Sequence, residues 1–304
     1  MSEYSEIDPT GLIEAPRGRA PRPTKATIRE RRKRRIWPTL IPVGVFVFFA
    51  IFGPLIVPFN AVSTNIVDRL RAPGSVLSNG STAWLGTDQV GRDMLGEVIA
   101  GARLTLIMAI ATIIIAGIIG IVLGLVAGYF GGWIDNVIMR LADLQLAFPG
   151  LLLAILIAGV LGPSVRNVVI SLAVTRWVTF ARLARSSALS VRKLDYVSAA
   201  RLLGASHVRL LSRYLLPASI SPLFVLGTVE VGSVVLSAAS LSFLGLGVPP
   251  DQVDWGSTIA AGSDYLLSAW WISTMPGIAL AGLVLSVSVL GDKLQARFAA
   301  ARSR

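Results

Sequence analysis

Apolar residues in this chain come in unbroken runs rather than at a helical or strand period. Leu104 to Ile134 and Tyr265 to Gly291 contain no charged residue. A helix crosses the hydrocarbon of a bilayer in roughly 20 apolar residues, so runs of this length predict membrane spans rather than a soluble core. The first predicted span is Ile36 to Val57, where Pro38, Pro42 and Pro54 are candidate bends of a kind that a bilayer tolerates. The second is Leu104 to Gly128, followed by a turn at Gly131–Gly132. The third is Leu144 to Leu161, closed by Gly162–Pro163. The fifth starts near Pro217 and runs to about Leu241, and the sixth occupies roughly Trp271 to Leu290.

The fourth, Asn167 to Ala181, is short and interrupted by Arg176, whose placement at a helix centre costs roughly 2.5–3.5 kcal/mol on insertion scales. Basic residues decide in its favour. Ten of the 28 precede Ile36, seven lie from Arg182 to Arg213, and four follow Asp292. Cytoplasmic loops carry the excess of Lys and Arg, and only a crossing at 167–181 puts all three clusters on one side. The chain is therefore read as an all-α polytopic membrane protein of six transmembrane helices, with N and C termini cytoplasmic. Its expected parts are a disordered basic tail at 1–35, a first helix at 36–57 and a polar extracytoplasmic loop with an interfacial helix at 58–102. A five-helix core at 103–292 and a cytoplasmic tail at 293–304 follow. The tail 1–35, with Pro9, Pro16, Pro21 and Pro23, lacks the apolar core and cleavage site of a signal peptide.

Composition agrees. Of 304 residues, 54% are hydrophobic and 15% charged, with mean hydropathy +0.70, whereas globular chains carry about 25% charged residues. The net charge of +11 is placed where it flanks spans and meets anionic lipid, which argues against nucleic acid. Cysteine is absent and His207 is the single histidine, so no disulfide, thiolate or His-rich metal site is expected. No G-x-x-x-x-G-K-[ST] and no H-E-x-x-H occurs, so the chain has no P-loop for ATP and no zincin site. No catalytic cluster is expected.

The segment Asp195 to Pro217 is the most informative. Asp195 can cap a short helix, Gly204 can end it in the left-handed region, and Ser206 can start a second helix leading to Pro217. The small residues Ser198, Ala199, Ala200, Gly204 and Ala205 permit close docking into a groove on another protein. An amphipathic loop resting on lipid explains the same composition.

Ala199, Ala200, Gly204, Leu216 and Pro217 match the spacing of the E-A-A-x3-G-x9-I-x-L-P loop, and here the chain resembles bacterial ABC-importer permeases. Ser198 stands in place of Glu and Tyr214 in place of Ile. Leu85-Gly86-Thr87-Asp88-Gln89-Val90-Gly91-Arg92-Asp93, then Gly101-Ala-Arg-Leu-Thr-Leu106, looks like the signature before the second span in the C-type permeases of the dipeptide, oligopeptide and nickel class. Asp195 and Tyr196 match the same class, as does Ser240-Leu-Ser-Phe-Leu-Gly-Leu-Gly247, although Ala238 stands where the class usually has Glu.

The resemblance implies a type I importer permease fold. It also implies a coupling helix at 195–215, including Arg201, that docks on an ATPase subunit. A homologous second permease, two ATPase domains holding ATP and Mg, and an extracytoplasmic substrate-binding protein would complete the assembly. The implied function is import of dipeptides or oligopeptides by alternating access, with glutathione, haem and chelated nickel also open as substrates. The rival is a stand-alone ion-coupled transporter or channel using Glu230.

From the residues themselves, Val90, Met94, Leu95, Val98 and Ile99 recur at helical spacing, so a helix is expected from Asp88 with an i,i+4 pair to Arg92. That segment is either a structural elbow or a contact for an external binding protein. Small residues at 237–247 favour packing between permease halves over substrate contact. Glu230, with Ser233 and Ser237 nearby, either lines the path or bonds across a permease interface. Arg176 is expected to snorkel or to pair with the other permease chain. A direct Arg176–Glu230 pair needs tilt or a broken helix, because the two sit about 11 Å apart in depth at 1.5 Å per residue.

Overall fold

The structure is a computed structural model and describes residues 37–57 and 63–302. The predicted basic tail, 1–35, lies outside the described residues. The first helix, α1 (Trp37–Ile56), runs unbroken through Pro38, Pro42 and Pro54. A short hairpin of β1 (Ser75–Val76) and β2 (Thr82–Ala83) follows in the polar loop. Nine more α-helices follow among the described residues, beginning with α2 (Met94–Phe130), α3 (Gly132–Leu146), α4 (Gly150–Leu161), α5 (Val165–Val191), α6 (Asp195–Leu202), α7 (His207–Leu210), α8 (Leu216–Phe243) and α9 (Trp255–Gly262). The last is α10 (Trp271–Arg302).

Among the described residues, three helical stretches are each long and apolar enough to cross a membrane: Met94–Phe130, His207–Phe243 and Trp271–Arg297. A fourth is counted if α3 and α4 together form one. The 37 residues of α2 measure about 55 Å, well beyond a hydrocarbon core of about 30 Å.

Several expected boundaries move. Among the described residues no separate interfacial helix precedes the second span, because Asp93 caps a helix that continues without a break to Phe130. The third span is not one helix. The chain turns by 87° between α3 and α4, at Ala147-Phe148-Pro149, where Pro149 lacks an N–H and restricts the residue before it. The fourth helix is 27 residues long rather than 15, and its basic residues meet acids on α3. Arg182 lies 2.7 Å from Asp143, and Arg185 Nη2 lies 2.6 Å from an Asp135 oxygen. The expected tail at 293–304 is helical as far as Arg302.

Small residues hold α2 against α5. Gly120, Gly124 and Gly128 recur every four residues along one stripe of α2, and Ala181, Ala184 and Ala188 face them fully buried. A Cβ on Gly128 would lie 2.7 Å from Ala188 Cβ and 2.7 Å from the Arg185 carbonyl, so the backbones touch as in small-xxx-small helix pairs. The core divides along the helices. One cluster joins Ala50, Leu106, Leu172, Val234, Leu241, Trp255 and Leu283. Another joins Leu125, Tyr129, Ala184, Val197, Leu210 and Leu215 at the end that carries α6 and α7.

Candidate functional site: the 195–217 loop and the segments around it

The turn between α6 and α7 is built by its backbone. Gly204 has φ +79°, the left-handed region that glycine reaches without strain. The Ala205 N–H donates to the Ala200 carbonyl and the Gly204 N–H to the Arg201 carbonyl, each at 3.0 Å, which is the Schellman arrangement. Ser206 then caps α7 by accepting from the Arg209 N–H. Asp195 is the first residue of α6 rather than its cap. Leu194 occupies that position without a side-chain bond, and the carboxylate stays in the first turn, where it complements the helix dipole.

The loop faces two ways. Val197, Leu210 and Leu215 are fully buried and Ala200 is 7% exposed, all within the chain's own core. Ala200 is therefore turned inward, away from any docking face. Outward stand Ser198, Ala199, Arg201 and Tyr196, with Leu202 at 89% and Leu203 at 88% exposure. These two leucines, and the exposed Val208 of α7, were not legible from small-residue composition. Their signal is a Leu-Leu pair at the end of an otherwise polar helix.

Further contacts fasten the loop to the end of α2. Tyr129 Oη and His207 Nδ1 lie 2.7 Å apart, and the Arg201 guanidinium stands 5.6 Å over the Tyr129 ring. Arg192 donates to the carbonyl of Gly128 at 2.8 Å. The helix expected to start near Pro217 begins earlier. A π-helical stretch, Leu211–Leu215, joins α7 to α8, so Leu216 and Pro217 enter an existing helix. Pro217 lies inside this continuous helical run, where it has no N–H to donate to the turn before it, and the wider π turn ends at that point.

Inside the helical layer, Arg176 does not reach for the interface. Its Nη1 lies 3.2 Å from Glu230 Oε2 and its Nη2 donates to Ser237 Oγ at 2.8 Å. Ser237 in turn donates to the Ser233 carbonyl. The expected depth mismatch came from ending the fourth span at Arg182. The helix continues to Val191, so Arg182 does not mark its end, and the 3.2 Å contact itself puts the two side chains at one level.

The 85–93 segment is a hydrogen-bonded knot, not a helix. Asp88 Oδ1 accepts from the N–H groups of Val90 (2.9 Å) and Arg92 (2.7 Å), and Asp88 Oδ2 takes Arg92 Nε at 2.7 Å. The expected Asp88–Arg92 pair forms, but across a turn. Thr87 is fully buried. Its hydroxyl accepts from the Arg71 N–H, and its carbonyl accepts from Trp271 Nε1 at 2.9 Å. Gly86 and Gly91 both have positive φ, and at Gly91 a Cβ would strike the Asn65 carbonyl. Asp93 caps α2 through the Leu95 N–H. Nearby, Asp68 accepts from the Ser78 hydroxyl and N–H. The hydroxyl above all, with the N–H and the charge of Arg71, holds its carboxyl below the ordinary value despite burial.

No group of three or more His, Cys, Asp or Glu side chains lies within metal-holding reach among the described residues. The described residues provide a loop with an outward face, and a helix bundle behind it.

Known proteins are similar to this chain. Residues 120–300 match the family described as binding-protein-dependent transport system inner membrane component. The di/tripeptide transport system permease protein DppC of Pseudomonas aeruginosa is 40% identical over 83% of this chain and 83% of its own length. The dipeptide transport system permease protein DppC of Alkalihalophilus pseudofirmus is 38% identical, over 84% of this chain and 82% of that one. The glutathione transport system permease protein GsiD of Pectobacterium atrosepticum is 36% identical over 84% of each. The chain thus belongs to the binding-protein-dependent inner membrane components, as a multi-pass plasma-membrane permease of the ABC-importer peptide class.

Proposed function

We propose that this chain is one of two homologous permeases in an ATP-driven importer that carries dipeptides or oligopeptides into the cell. The observation that carries the reading is the 195–217 loop. It presents Tyr196, Leu202 and Leu203 outward on a turn fixed by Gly204, and it is tied through Tyr129 to the end of a 37-residue helix. Two ATPase domains holding ATP and Mg dock there, and their closure moves the loop and the helices joined to it. An extracytoplasmic binding protein delivers substrate to the opposite end. The permease itself carries out no bond chemistry. An ion-coupled transporter is not favoured, because Glu230 is occupied by Arg176.

The proposed topology is six spans with both ends cytoplasmic: α1, α2, the bent α3–α4 pair, α5, α8 and α10. The partition of basic residues supports it. The same reading puts the 85–93 knot outside, where its burial favours a structural elbow over a contact for the binding protein. Arg176, Glu230, Ser233 and Ser237 then form a polar belt within the bundle, at the path or at the interface with the second permease.

Two measurements test this. The sequence has no cysteine, so single cysteines at Asn79, Ser206 and Asp251 can be labelled with an impermeant maleimide in intact cells. Positions 79 and 251 react and 206 does not; labelling at 206 without permeabilisation overturns the topology. Uptake of labelled dipeptide by cells carrying the full transporter, lost on deletion of this chain, tests the substrate class.

A further inference from the structure

A cavity of about 440 Å³ opens between the Asp88–Asp93 knot, the start of α2, the end of α8 and α9. Among the described residues, five buried side-chain oxygens lack a protein hydrogen-bond partner, and three of them belong to residues lining this cavity: Gln89 Oε1, Glu97 Oε2 and Ser242 Oγ. Unpaired buried polar atoms are uncommon, because each forfeits its hydration. Glu97 is 2% exposed and Ser242 4%. Ser242 departs from its neighbours on α8, since Ser219, Thr228, Ser237 and Ser240 each donate to the carbonyl four residues back.

Charge points the same way as geometry. Arg92 meets Asp88 at 2.7 Å and Glu97 Oε1 at 2.9 Å, so two carboxylates share one guanidinium. The Asp88 oxygens are already occupied by Arg92 and two backbone N–H groups. With both acids ionised the trio would carry one uncompensated negative charge, which burial penalises, so Glu97 gives up its proton only as a cation arrives to meet it, and the open atom is Glu97 Oε2. A buried charge without a partner is costly, and a cation in the cavity would complete the pairing.

We propose that this cavity binds a primary ammonium group, with Glu97 Oε2 supplying the charge and Gln89 Oε1 and Ser242 Oγ the other two acceptors. An –NH3+ group offers three donors and no acceptor, which matches three oxygens. The cavity is of the size that takes small ligands, and Val248, Pro249 and Val253 add apolar wall for a side chain next to the ammonium. The amino terminus of the transported peptide is the source of that ammonium. This last step rests on the peptide-importer reading above.

The test uses the assembled transporter in lipid nanodiscs without its binding protein, titrated calorimetrically with Ala-Phe, N-acetyl-Ala-Phe and n-butylamine. Ala-Phe binds saturably. Acetylation, which removes the ammonium, weakens binding at least about tenfold, the scale of a charged hydrogen bond. Glu97→Gln weakens Ala-Phe to a similar extent and Ser242→Ala by about threefold to tenfold on the same scale. Ser242→Ala keeps the test decisive where Glu97→Gln impairs assembly. Equal binding of free and acetylated peptide, or wild-type affinity in Ser242→Ala, overturns the site. Butylamine binding as tightly as Ala-Phe overturns the peptide as the source of the ammonium. Dipeptide uptake by the complete wild-type system is scored separately, so a failed import reading and a failed ammonium site give different results.

Discussion

Tyr129 Oη and His207 Nδ1 lie 2.7 Å apart, joining the last turn of α2 to the first residue of α7 across 78 positions of sequence. This bond crosses from a long helix to the loop that carries the outward leucines, so it is placed to pass movement between them. Tyr129→Phe keeps the ring beneath Arg201 and removes only the hydroxyl, a loss of about 0.5–1.5 kcal/mol. Membrane abundance and ATPase co-purification should stay near wild type while uptake falls severalfold. Unchanged uptake would show that the bond carries no coupling.

The two faces of α6 give opposite phenotypes. Leu203→Glu places a charge on an exposed apolar position and should weaken ATPase association while leaving abundance intact. Ala200→Glu forces a carboxylate into the chain's own core, where an unpaired charge is strongly unfavourable, and should lower abundance itself. Gly204→Val strains a φ of +79°, at a cost of order 1–3 kcal/mol, and should disturb the turn. Abundance measured beside co-purification separates these outcomes. Normal association in Leu203→Glu would remove the leucines from the docking face.

Glu230 is held by Arg176, so the two should behave as a pair. Glu230→Leu strands the guanidinium and should reduce assembly or transport more than Glu230→Gln, which retains a hydrogen-bond acceptor. Combining Glu230→Leu with Arg176→Met should recover part of the loss, because removing both charges leaves neither unpaired. A double variant as impaired as the sum of its parts would show that the ion pair is not the reason for either effect.

Asp68 predicts how the polar loop responds to acid. Its folded-state carboxyl titrates below the ordinary carboxylate value, so the native loop favours the ionised form. The resulting stabilisation is fully present above the unfolded pKa, roughly 3.9, and disappears as pH falls through the lower folded value. Limited proteolysis of residues 63–93 should therefore be unchanged from pH 7 to about pH 5 and rise below pH 4. Asp68→Asn should be cut faster at pH 7 and show less increase on acidification.

The spans were legible where composition alone decides. Leu104 to Ile134 contains no charge and lies almost wholly within one helix. The fourth helix was cut short because Arg182 and Arg185 read as the edge of the bilayer, whereas Asp143 and Asp135 on α3 answer them. A pairing between helices has no local signature. The bend at Pro149 was missed for the opposite reason: an apolar run looks the same whether or not it turns. In the loop, Gly204 and Ser206 were readable because backbone geometry dictates those residue types. The inward turn of Ala200 depends on which face of α6 meets α7 and α8, and composition is silent on that. Asp88 and Arg92 were paired correctly on the assumption of a helix, but the pair closes a turn that the sequence disguised with helical spacing.

Because α2 is continuous from its Asp93 cap to Tyr129, the 85–93 knot and the 195–217 loop are joined to the two ends of a single strut with no joint between them. Register along such a strut is angular as well as axial: one residue added or removed rotates everything beyond it by about 100°. A single alanine inserted near Ile118 would leave both ends chemically intact, yet turn Gly120, Gly124 and Gly128 away from the alanines of α5 and swing Tyr129 off His207. The helix therefore tolerates substitution along its lipid-facing side far better than any change in its length.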